Sequence, residues 1–451
     1  MAKVIKIKQG LDIKLKGKAE CAVRVVNAEH YAIQPIDFHY VLPKLLVQEG
    51  EMVKAGTPLF HDKHDERIKF VSPVSGTVET IRRGEKRRLE AIVIRSDGKK
   101  DAIDFDVDRP LDKENIKQVL LGSGLWPTIR QRPYSCIANP DDMPKAFFIS
   151  GFDTSPLAPD MDFIASHFPD SLQKGLDVLS VLTDGKVHLS LHAEKTKSEP
   201  LLKAKNVSLH WFSGPHPAGN IGTQINKIAP INKGETVWFC ALQDVINIGR
   251  LFLSGRPDFT RLYALAGTGF VNPHYVRTEL GASIREMTDG QCCNPNYRLI
   301  SGNVLTGIKS EADGFIGFYH NMLTAIPEGD HREEMLGWMW PGFKKFSFSR
   351  TFPSAFVPND LQPAFELDTN MHGEERPFVV TGAFEKVFPF DIYPMQLIKA
   401  CIVGDIDLME NLGIYEVDEE DFALCEFIDT SKNDIQAIIR QGLDLVRKEN
   451  D

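Results

Sequence analysis

The spacing of apolar residues along the chain divides it into stretches that predict different kinds of structure. In residues 1–36 apolar and polar positions alternate, as in Val4–Lys8, which predicts N-terminal strands. Residues 37–100 continue with short apolar runs separated by glycines and prolines, a pattern typical of a small all-β unit. We therefore predict separate N-terminal strands followed by a compact β domain.

A different pattern over residues 101–257 predicts an α/β domain. A helix-like segment, Asp112–Leu120, precedes an apolar strand at Ala146–Gly151, and apolar runs then alternate with helical patterns. Strands that alternate with helices favour a parallel sheet of βαβ units, so we predict a Rossmann-like fold. The run Val237–Leu253 is expected to be a strand followed by an amphipathic helix. It is interrupted by the polar residues Gln243, Asp244, Asn247 and Arg250.

The C-terminal part of this α+β chain changes pattern again. Residues 258–328 return to strand-like alternation, which we interpret as a β-grasp-like module. Residues 329–390 are rich in Pro, Gly and Phe and too apolar for a disordered linker, so we predict a strap packed on other domains or on a partner. Residues 391–451 are expected to be helical, and Asn433 with Gln436 resembles a capping box. One helical face would carry Ile435, Ile438, Ile439, Leu443 and Val446.

Charge and cysteine content narrow the class of protein. The 451 residues carry a net charge of −10, whereas a nucleic-acid-binding face needs clustered basic residues, so no nucleic-acid partner is expected. The N-terminus lacks the apolar core of a signal peptide, and no run approaches the roughly 20 apolar residues of a spanning helix. The seven cysteines form no CxxC pair, which predicts no metal site and favours a reducing cytosol. The adjacent Cys292 and Cys293 are expected to be reduced thiols in a loop.

The loop Leu121–Pro133, LGSGLWPTIRQRP, lies between the predicted helix and the first strand of the α/β domain. Such a loop can present backbone N–H groups to a phosphate or a flavin where glycine leaves no Cβ. Only Gly122 and Gly124 are present, and Trp126 would fill the space that a ring or phosphate needs. We therefore interpret the loop as a cofactor site that has been closed. No GxGxxG dinucleotide fingerprint follows any predicted strand.

Two further stretches each have a structural and a functional interpretation. The basic run Arg82–Arg88 surrounds Gly84 and is expected to be a solvated face, with contact to anionic lipid headgroups as the alternative. The loop Ser213–Thr223, with three glycines and two prolines, either binds an anion or is a rigid connector against a neighbouring domain. His216 in that loop is expected to be a hydrogen-bonded surface residue and not a base.

Residues Val41–Ile94 resemble a known fold. The form V-x-x-G-x-x-V-x-x-G-x-x-L, followed by SPVSGTV, resembles the barrel-sandwich fold of lipoyl and biotinyl carrier domains. That resemblance implies a modified lysine at a hairpin tip, near Lys63. The hairpin HDKHDERIKF is longer than a carrier's, so we prefer a structural β-module and keep a lipoyl-type carrier protein as an alternative.

The order of the modules resembles the flavin-binding subunits of respiratory complex I and the C subunit of Rnf complexes. In those families a loop close to GGAGFPT holds FMN, and cysteine runs in a C-terminal ferredoxin-type module hold iron–sulfur clusters. Here Gly124–Thr128 keeps the Pro-Thr but loses the glycines, and the corresponding helical region has only Cys401 and Cys425. We therefore predict a degenerate ferredoxin-type module that holds no cluster.

Segments spread over nearly the whole chain are similar to the A subunit of the Na⁺-translocating NADH:quinone oxidoreductases. They are GLDIKLKG, FVSPVSGTV, SGLWPTIRQRP, GPHPAGNIGT, VRTELGAS, WPGFKKFSFSR and DEEDFALCEF. The resemblance implies a peripheral protein on the cytoplasmic face of the bacterial inner membrane. It implies docking on the quinone-reducing membrane partner, the B subunit of a six-subunit pump that exports sodium as NADH reduces ubiquinone. It also implies that NADH oxidation, the flavins and the iron–sulfur centres belong to the five other subunits.

The resemblance associates this family with ubiquinone, and we predict any quinone contact at Trp126–Tyr134. Trp126 would supply a flat apolar wall, while Arg130, Arg132 and the Tyr134 hydroxyl would donate hydrogen bonds to the quinone carbonyls. The alternative, which we favour, is that the arginines pair with acidic residues at a domain interface and that Trp126 packs in a core. No catalytic, cofactor-binding or metal-binding residue is assigned. A self-sufficient flavin-dependent oxidoreductase is the alternative function.

Overall fold

A computed structural model describes residues 3–291, 296–330, 342, 345–358 and 364–450 of the chain. Cys292, Cys293 and part of the predicted strap lie outside these ranges, so the structure does not address the expectation for the adjacent thiols. Helices and several separate sheets occur together, which confirms a mixed α and β fold. No helix within the described ranges is long and apolar enough to span a membrane.

The strands fall into three consecutive groups along the chain. The first group is β1 (Val4–Lys6), β2 (Glu20–Val25), β3 (His30–Ile33), β4 (Pro43–Leu45), β5 (Met52–Val53), β6 (Pro58–Asp62), β7 (Lys69–Val71), β8 (Gly76–Arg83) and β9 (Leu89–Ser96). The second is β10 (Arg130–Arg132), β11 (Cys136–Ile137), β12 (Ala146–Ser150), β13 (Lys186–His192), β14 (Ser208–Ser213) and β15 (Val237–Cys240). The third is β16 (Thr260–Ala266), β17 (His274–Glu279), β18 (Tyr297–Ser301), β19 (Ile308–Ser310) and β20 (Met322–Pro327).

The helices lie in the middle and at the end of the chain. Those before the third group of strands are α1 (Lys113–Ser123), α2 (Met161–His167), α3 (Pro169–Leu182), α4 (Glu199–Leu202), α5 (Ile221–Ile228) and α6 (Leu242–Ser254). The later helices are α7 (Ile284–Met287), which follows β17, and α8 (Pro394–Val403), α9 (Ile406–Asn411), α10 (Ala423–Ile428) and α11 (Ile435–Asn450), which follow β20. The helix predicted over Asp112–Leu120 is confirmed as α1, which the Asp112 side chain caps by accepting from the Asn115 N–H.

Two antiparallel sheets form the N-terminal barrel-sandwich unit. One has the strand order β3-β9-β8-β5 and the other has the order β4-β6-β7. The strands of this unit carry fully buried apolar residues, among them Leu59, Phe60, Val78, Ile92 and Ile94. The short strands follow the glycine and proline spacing of the sequence, as predicted.

The strands predicted in residues 1–36 are present but do not form a unit of their own. β1 pairs in parallel with β14, β2 pairs in parallel with β17, and β3 pairs with β9. The N-terminal segment therefore contributes one strand to each of three different sheets. Local alternation predicts such strands, but it carries no information about their distant partners.

The central sheet has seven strands in the order β1-β14-β13-β12-β15-β10-β11. The first five run parallel, whereas β10 is antiparallel to both neighbours. This confirms the predicted parallel sheet. From β12 the chain continues to β13 and β14 on one side, and later to β15 on the other, so the strand order reverses between β12 and β15.

Helices α3 and α6 cover one face of this sheet and approach each other through glycines. A Cβ built on Gly249 would lie 1.7 Å from the Ser171 carbonyl oxygen, and one on Gly175 would lie 2.0 Å from the Val245 carbonyl oxygen. The two backbones are therefore closer than any side chain would permit at these positions.

The strand and helix predicted over Val237–Leu253 are present as β15 and α6, but the amphipathic prediction is wrong. Residues 242–252 are buried around the whole circumference of α6. Its polar side chains have internal partners, since Gln243 Nε2 donates to the Leu262 carbonyl at 2.9 Å and Arg250 Nη1 donates to the Thr260 carbonyl at 2.7 Å. An internal hydrogen bond offsets the cost of removing a polar group from water. The polar residues of α6 therefore do not need the exposed face that the sequence pattern predicted.

A six-stranded sheet, called the third sheet below because it holds the third group of strands, has the order β19-β18-β20-β16-β17-β2. β16 is antiparallel to β17 and parallel to β20. The strands predicted in residues 258–328 are therefore present. Their buried side chains, such as Leu262, Tyr275 and Leu323, belong to one continuous core that also includes the barrel-sandwich unit and α3.

The C-terminal helices α8–α11 enclose a second core. Ile435, Ile439, Leu443 and Val446 are buried in it, which confirms the predicted helical face. The predicted capping box is wrong, because Asp434 and not Asn433 caps α11, through its Oδ1 and the Ala437 N–H at 3.3 Å. The Asn433 and Gln436 side chains bind carboxylates of the preceding segment instead, those of Asp429 and Glu426.

Candidate functional site at the carboxyl ends of the parallel strands

The glycines of the Leu121–Pro133 loop serve packing. Gly124 follows α1 with φ 74°, a left-handed conformation that ends the helix, and a Cβ there would lie 2.4 Å from Val71 of the barrel-sandwich unit. A Cβ on Gly122 would lie 3.2 Å from the Phe105 ring. The positions that would have to approach a flavin are thus occupied by protein side chains, and the residues present do not fit that cofactor.

Trp126 is fully buried. Its indole N–H donates to the Ala138 carbonyl at 2.7 Å, and its ring meets Trp238 edge-on with centroids 5.5 Å apart. A buried indole with its polar atom satisfied is a core residue. This confirms the packing interpretation of Trp126, and quinone contact by its ring stays a prediction.

Arg132 lies in a buried charge cluster between the α/β domain and the C-terminal helices. Its Nη1 donates to Asp421 Oδ2 at 2.9 Å, and its Nη2 lies 3.5 Å from Asp418 Oδ2. Although burial opposes ionisation, Arg132 and Arg440 hold the pKa of the Asp418 carboxyl well below its usual range. The favoured interpretation, an arginine paired with acidic residues at a domain interface, is confirmed for Arg132.

Tyr134 is half-buried on the same interface. Its ring packs edge-on against Tyr415 with centroids 6.4 Å apart, and its backbone carbonyl accepts a hydrogen bond from Arg440 Nη1 at 3.0 Å. Arg132 and Tyr134 therefore both hold the C-terminal helices against β10.

Arg130 lies two residues before Arg132 on the same strand and has a different environment. It is paired with Phe239 across the β10–β15 ladder, and its guanidinium lies between the Phe239 ring at 4.7 Å and the Tyr319 ring at 4.3 Å. The rings cover its two faces but accept none of its N–H groups. No hydrogen bond or ion pair joins its side chain to any other described residue, and its Nε is buried without a partner. The direct ion pair expected for Arg130 is thus absent from the described part of the chain, although its charge acts on the nearby carboxyls of Glu420 and Asp244.

Arg130 lines a cavity of about 150 Å³ at the carboxyl ends of β12 and β15. This is the place where the strand order reverses, and open α/β sheets bind their ligands at such points. The lining includes ten residues with polar side chains, Arg130, Ser150, Asp153, Ser155, His216, Asn220, Asn303, Thr306, Asn321 and Glu420. The α/β domain, the third sheet and the C-terminal helical region all contribute to the wall.

Burial raises the pKa of both acidic groups of the cavity. Burial raises the pKa of the Glu420 carboxyl to about 7, a shift that Asp421 reinforces and Arg132 opposes. Burial also raises the pKa of the Asp153 carboxyl, which accepts a hydrogen bond from the Ser155 backbone N–H at 2.7 Å. Near neutral pH the cavity therefore carries less negative charge than its two carboxyl groups suggest.

His216 is not the surface residue expected from the sequence, and that prediction is wrong. The residue is 3% exposed, and its Nδ1 lies 3.1 Å from the Thr154 hydroxyl oxygen. Burial lowers its pKa to about 4, so the imidazole is neutral at physiological pH. It stays hydrogen-bonded, as expected, but within the wall of the cavity.

The Ser213–Thr223 loop serves as the predicted connector. A Cβ built on Gly214 would lie 2.2 Å from the Ile7 carbonyl oxygen. A Cβ on Gly219 would lie 2.6 Å from the Thr154 backbone nitrogen, and one on Gly222 would lie 2.3 Å from Asp421 Oδ1. These glycines allow three other segments to approach the loop. The anion-binding alternative is compatible with this packing, since Gly219 and Asn220 also line the cavity.

The cysteines of the C-terminal helices are packing residues. Burial raises the pKa of the Cys401 thiol to about 12, and it raises that of the Cys425 thiol well above its usual value. A Cβ on Gly442 would lie 2.5 Å from Cys401 Sγ, so this thiol fills a close helix contact. Across the described ranges, no group of three or more His, Cys, Asp or Glu side chains is placed to hold a metal ion.

Sequence reasoning missed Asp153, Ser155 and Glu420 as cavity residues. Asp153 and Ser155 follow directly after β12, a position at which α/β sheets present ligand-binding side chains, and this signal was available. Glu420 lies in the acidic stretch before α10, and no local pattern places that stretch against β10.

Three domain models of one family match the chain. They are the NqrA N-terminal barrel-sandwich hybrid domain at residues 5–97, the NqrA second alpha/beta domain at 111–257 and the NQRA C-terminal domain at 263–312. The chain is also 39% identical over 453 residues to the A subunit of the Na⁺-translocating NADH-quinone reductase of Neisseria meningitidis serogroup B, across 99% of this chain and 100% of that one. The chain belongs to this NqrA family.

Other relatives agree with that assignment. The corresponding A subunits of Pasteurella multocida and Yersinia pestis are each 38% identical to the chain, over 99% of its length and 100% of theirs. The resemblance drawn from the sequence is confirmed, and so is the barrel-sandwich domain. Among solved structures, an NAD⁺-reducing NiFe hydrogenase in its H2-reduced state aligns with 49% of this chain and 48% of its own at 12% identity and a TM-score of 0.37. That likeness is too low to support an inference.

Proposed function

We propose that the chain is the A subunit of a Na⁺-pumping NADH:ubiquinone oxidoreductase, in which it supports quinone reduction coupled to sodium export. The observation that carries the proposal is full-length similarity to NqrA proteins, over 99% of the chain. The enzyme is the assembled complex, an oxidoreductase, and the isolated chain is not proposed to turn over substrate.

Its proposed partners are the five other subunits of the complex, chiefly the quinone-reducing B subunit in the membrane. The proposed location is peripheral, on the cytoplasmic face of the bacterial inner membrane. Contacts with partner subunits, and not insertion into the bilayer, would hold the chain there. The net charge of −10 supports protein partners over nucleic acid.

We propose that NADH oxidation, the flavins and the iron–sulfur centres belong to the other subunits. Two features of this chain support that division. Val71 and Trp126 occupy the space around the loop that resembles a flavin site. Cys401 and Cys425, the two thiols of the C-terminal helices, are each buried against other side chains.

The finer fold assignments belong to the same proposal. We propose a Rossmann-like domain over 101–257, supported by the reversal of strand order at β12, a β-grasp-like module over 258–328, and a degenerate ferredoxin-type domain over 391–451. Residues 1–36, 37–100 and 329–390 would be the N-terminal strands, the barrel-sandwich domain and the strap. Phe346 of the strap packs on Phe427 with ring centroids 5.4 Å apart, which supports a strap bound to the C-terminal helices.

Any quinone contact is proposed within Trp126–Tyr134. The Trp126 indole N–H bonds to the Ala138 carbonyl, Arg132 pairs with Asp421 and Asp418 at the interface, and Tyr134 packs on Tyr415. Arg130 has accessible space beside it and no protein acceptor among the described residues, so it is the strongest of the four candidates.

The decisive experiment is recovery of the native assembly. An affinity tag on this chain should co-purify an integral membrane partner from native membranes. High salt, or deletion of that partner, should release the chain into the soluble fraction. A chain that stays in the pellet after carbonate extraction of partner-free membranes contradicts the peripheral proposal.

Each of the two alternative functions predicts a property that the purified chain would show. A self-sufficient flavin-dependent oxidoreductase would purify with a flavin absorbance band. A lipoyl-type carrier would show an intact mass above that of the unmodified polypeptide, through Lys63. The hairpin that carries Lys63 is tied to the α/β domain by Arg67, whose Nη2 lies 2.7 Å from Asp141 Oδ2, and this anchoring disfavours a mobile carrier arm.

A further inference from the structure

The cavity at the carboxyl ends of β12 and β15 has an unpaired cation in its wall. The Arg130 guanidinium is fixed between the Phe239 and Tyr319 rings, which immobilise it without accepting its hydrogen bonds. The Nε of Arg130 is buried without an acceptor among the described residues, so this donor has lost water and gained no partner in return. Arg130 therefore presents a rigid, unsatisfied donor edge to the cavity.

Two helices also begin at this cavity. Asn220 and Ala241, which precede α5 and α6, both line it, and the side chain of neither residue caps its helix. The Asp421 carboxylate already lies against the start of α5 at Gly222, so the start of α6 is the one available to a ligand. The first backbone N–H groups of a helix lack partners within the helix, and they attract negative charge. Both helix starts belong to segments that follow parallel strands, β14 and β15, so the sheet itself directs them to the same place.

Ser155 gives an independent sign of a missing ligand. Its side chain is 8% exposed and lines the cavity, and its hydroxyl stabilises the charged form of the adjacent Asp153 carboxyl but has no partner of good hydrogen-bond geometry in the described structure. Buried hydroxyl groups in proteins are nearly always paired. A ligand oxygen in the cavity would satisfy Ser155 and Arg130 together.

We propose that this cavity binds the anionic group of a small molecule, a carboxylate or a phosphate, through Arg130, Ser155 and the start of α6. A carboxylate or phosphate oxygen pair matches the planar fork of a guanidinium. Arg130 and this cavity are also where quinone contact is proposed, but a quinone carries no such charge, so binding of an anionic probe tests the anion site separately.

The Glu420 carboxyl makes the affinity depend on pH. The groups that face Glu420 are Arg130 and Arg132 from β10, with Asp418 and Asp421 from its own segment. When Glu420 ionises as the pH rises through about 7, its charge repels the bound anion. Binding is thus tighter on the acidic side of neutrality.

The test is calorimetric titration of the full-length chain with sulfate and, separately, with acetate. Both probes keep a constant charge between pH 6 and 8, so any change of affinity belongs to the protein. Saturable binding of sulfate alone indicates a phosphate-bearing ligand, and saturable binding of acetate alone indicates a carboxylate. Saturable binding of neither probe overturns the proposal.

Two arginine substitutions distinguish binding of the probe in this cavity from non-specific binding to the protein surface. Arg130→Gln should weaken the bound probe at least about tenfold, because it removes a charge-assisted hydrogen bond. Arg256→Gln, which removes an exposed arginine paired with Asp104, should leave the affinity unchanged. Equal effects of the two substitutions, with circular dichroism showing both variants folded, contradict the site.

Glu420→Gln provides a second test that does not disturb Arg130. The Glu420 side chain has no hydrogen bond or ion pair with another described residue, so this change should preserve the fold. The wild-type affinity should fall several-fold between pH 6 and 8, and the variant should lose most of that fall. A pH profile that is the same in both proteins overturns the assignment of the anion to this cavity.

Discussion

Arg132 of β10 and Asp421 of the C-terminal region form a buried ion pair, with Nη1 2.9 Å from Oδ2 and both residues at most 3% exposed. The pair joins two parts of the chain that are 289 positions apart. A Cβ on Gly222 would lie 2.3 Å from Asp421 Oδ1, so the start of α5 is also built around this carboxylate. Arg132 is therefore explained by the docking of two domains more than by ligand binding.

Arg132→Ala should destabilise the protein strongly. Removing one partner leaves Asp418 and Asp421 buried without their main counter-charge, which typically costs about 3–5 kcal/mol. The free energy of unfolding from urea titration measures the loss. The control is Arg109→Ala, which breaks an exposed pair with Asp106 and should cost about 1 kcal/mol or less. Similar losses in the two variants would show that the buried pair does not stabilise the interface.

The stability of the chain should depend on Glu420 between pH 4.5 and 7. Its pKa is about 7 in the folded protein and 4.5 ordinarily, so the folded state holds the proton more tightly. The stabilising contribution is complete below pH 4.5 and is lost as the pH rises through 7. In Glu420→Gln this loss should disappear, so the difference in unfolding free energy between variant and wild type should grow across that window. A difference that is constant with pH would contradict the raised pKa.

The isolated chain should bind neither FMN nor iron, and Trp126→Gly should not restore flavin binding. The substitution opens a space next to Trp238, but Gly124 still lies against Val71, and the loop lacks further glycines. The variant should instead lose roughly 3–5 kcal/mol of stability through the cavity that it leaves. Absorbance after incubation with FMN and dialysis measures the first outcome. Stoichiometric flavin or iron in anaerobically prepared wild-type protein would refute the prediction.

A photoreactive quinone analogue should label the Trp126–Tyr134 peptide in the assembled complex, if this chain contacts quinone. Arg130→Ala should then reduce labelling without dissociating the complex, because Arg130 lies outside the charge cluster of Arg132. Peptide mapping after crosslinking measures both effects. Labelling confined to the membrane partner, or to distant peptides of this chain, would exclude the contact. Dissociation of the complex by Arg130→Ala would make the residue part of an interface.

Local sequence predicted most elements correctly because their causes are local. Glycine and proline spacing marked the short strands of the barrel-sandwich unit, and the alternation of apolar runs with helical patterns marked the parallel sheet. The buried face of α11 followed from a 3.6-residue period. The cap of α11 was misplaced by one residue, because Asn433 and Asp434 are both good caps and only the fold engages the former with Asp429.

The errors concern residues whose environment comes from distant segments. α6 has the polar pattern of an exposed face, yet Arg261 pairs with Asp244 and Gln243 bonds to the Leu262 carbonyl, so the helix is buried all round. His216 has the sequence context of a surface loop, but the segments around Ile7 and Thr154 cover it. Polarity alone predicts that such residues are exposed, but a hydrogen-bond partner from a distant segment allows them to be buried.

The amino-acid sequence was sufficient to identify the family, the class of fold and the loss of glycines from the loop that resembles a flavin site, because glycine content, periodicity and motif order are written in the chain. The packing of distant segments was needed to distinguish Arg130 from Arg132. The two residues are both arginines on one strand with a single residue between them, so the sequence alone gives no reason to assign them different roles. The docking of the C-terminal helices gives Arg132 two buried carboxylates, whereas β15 and the third sheet give Arg130 two aromatic faces and an open cavity.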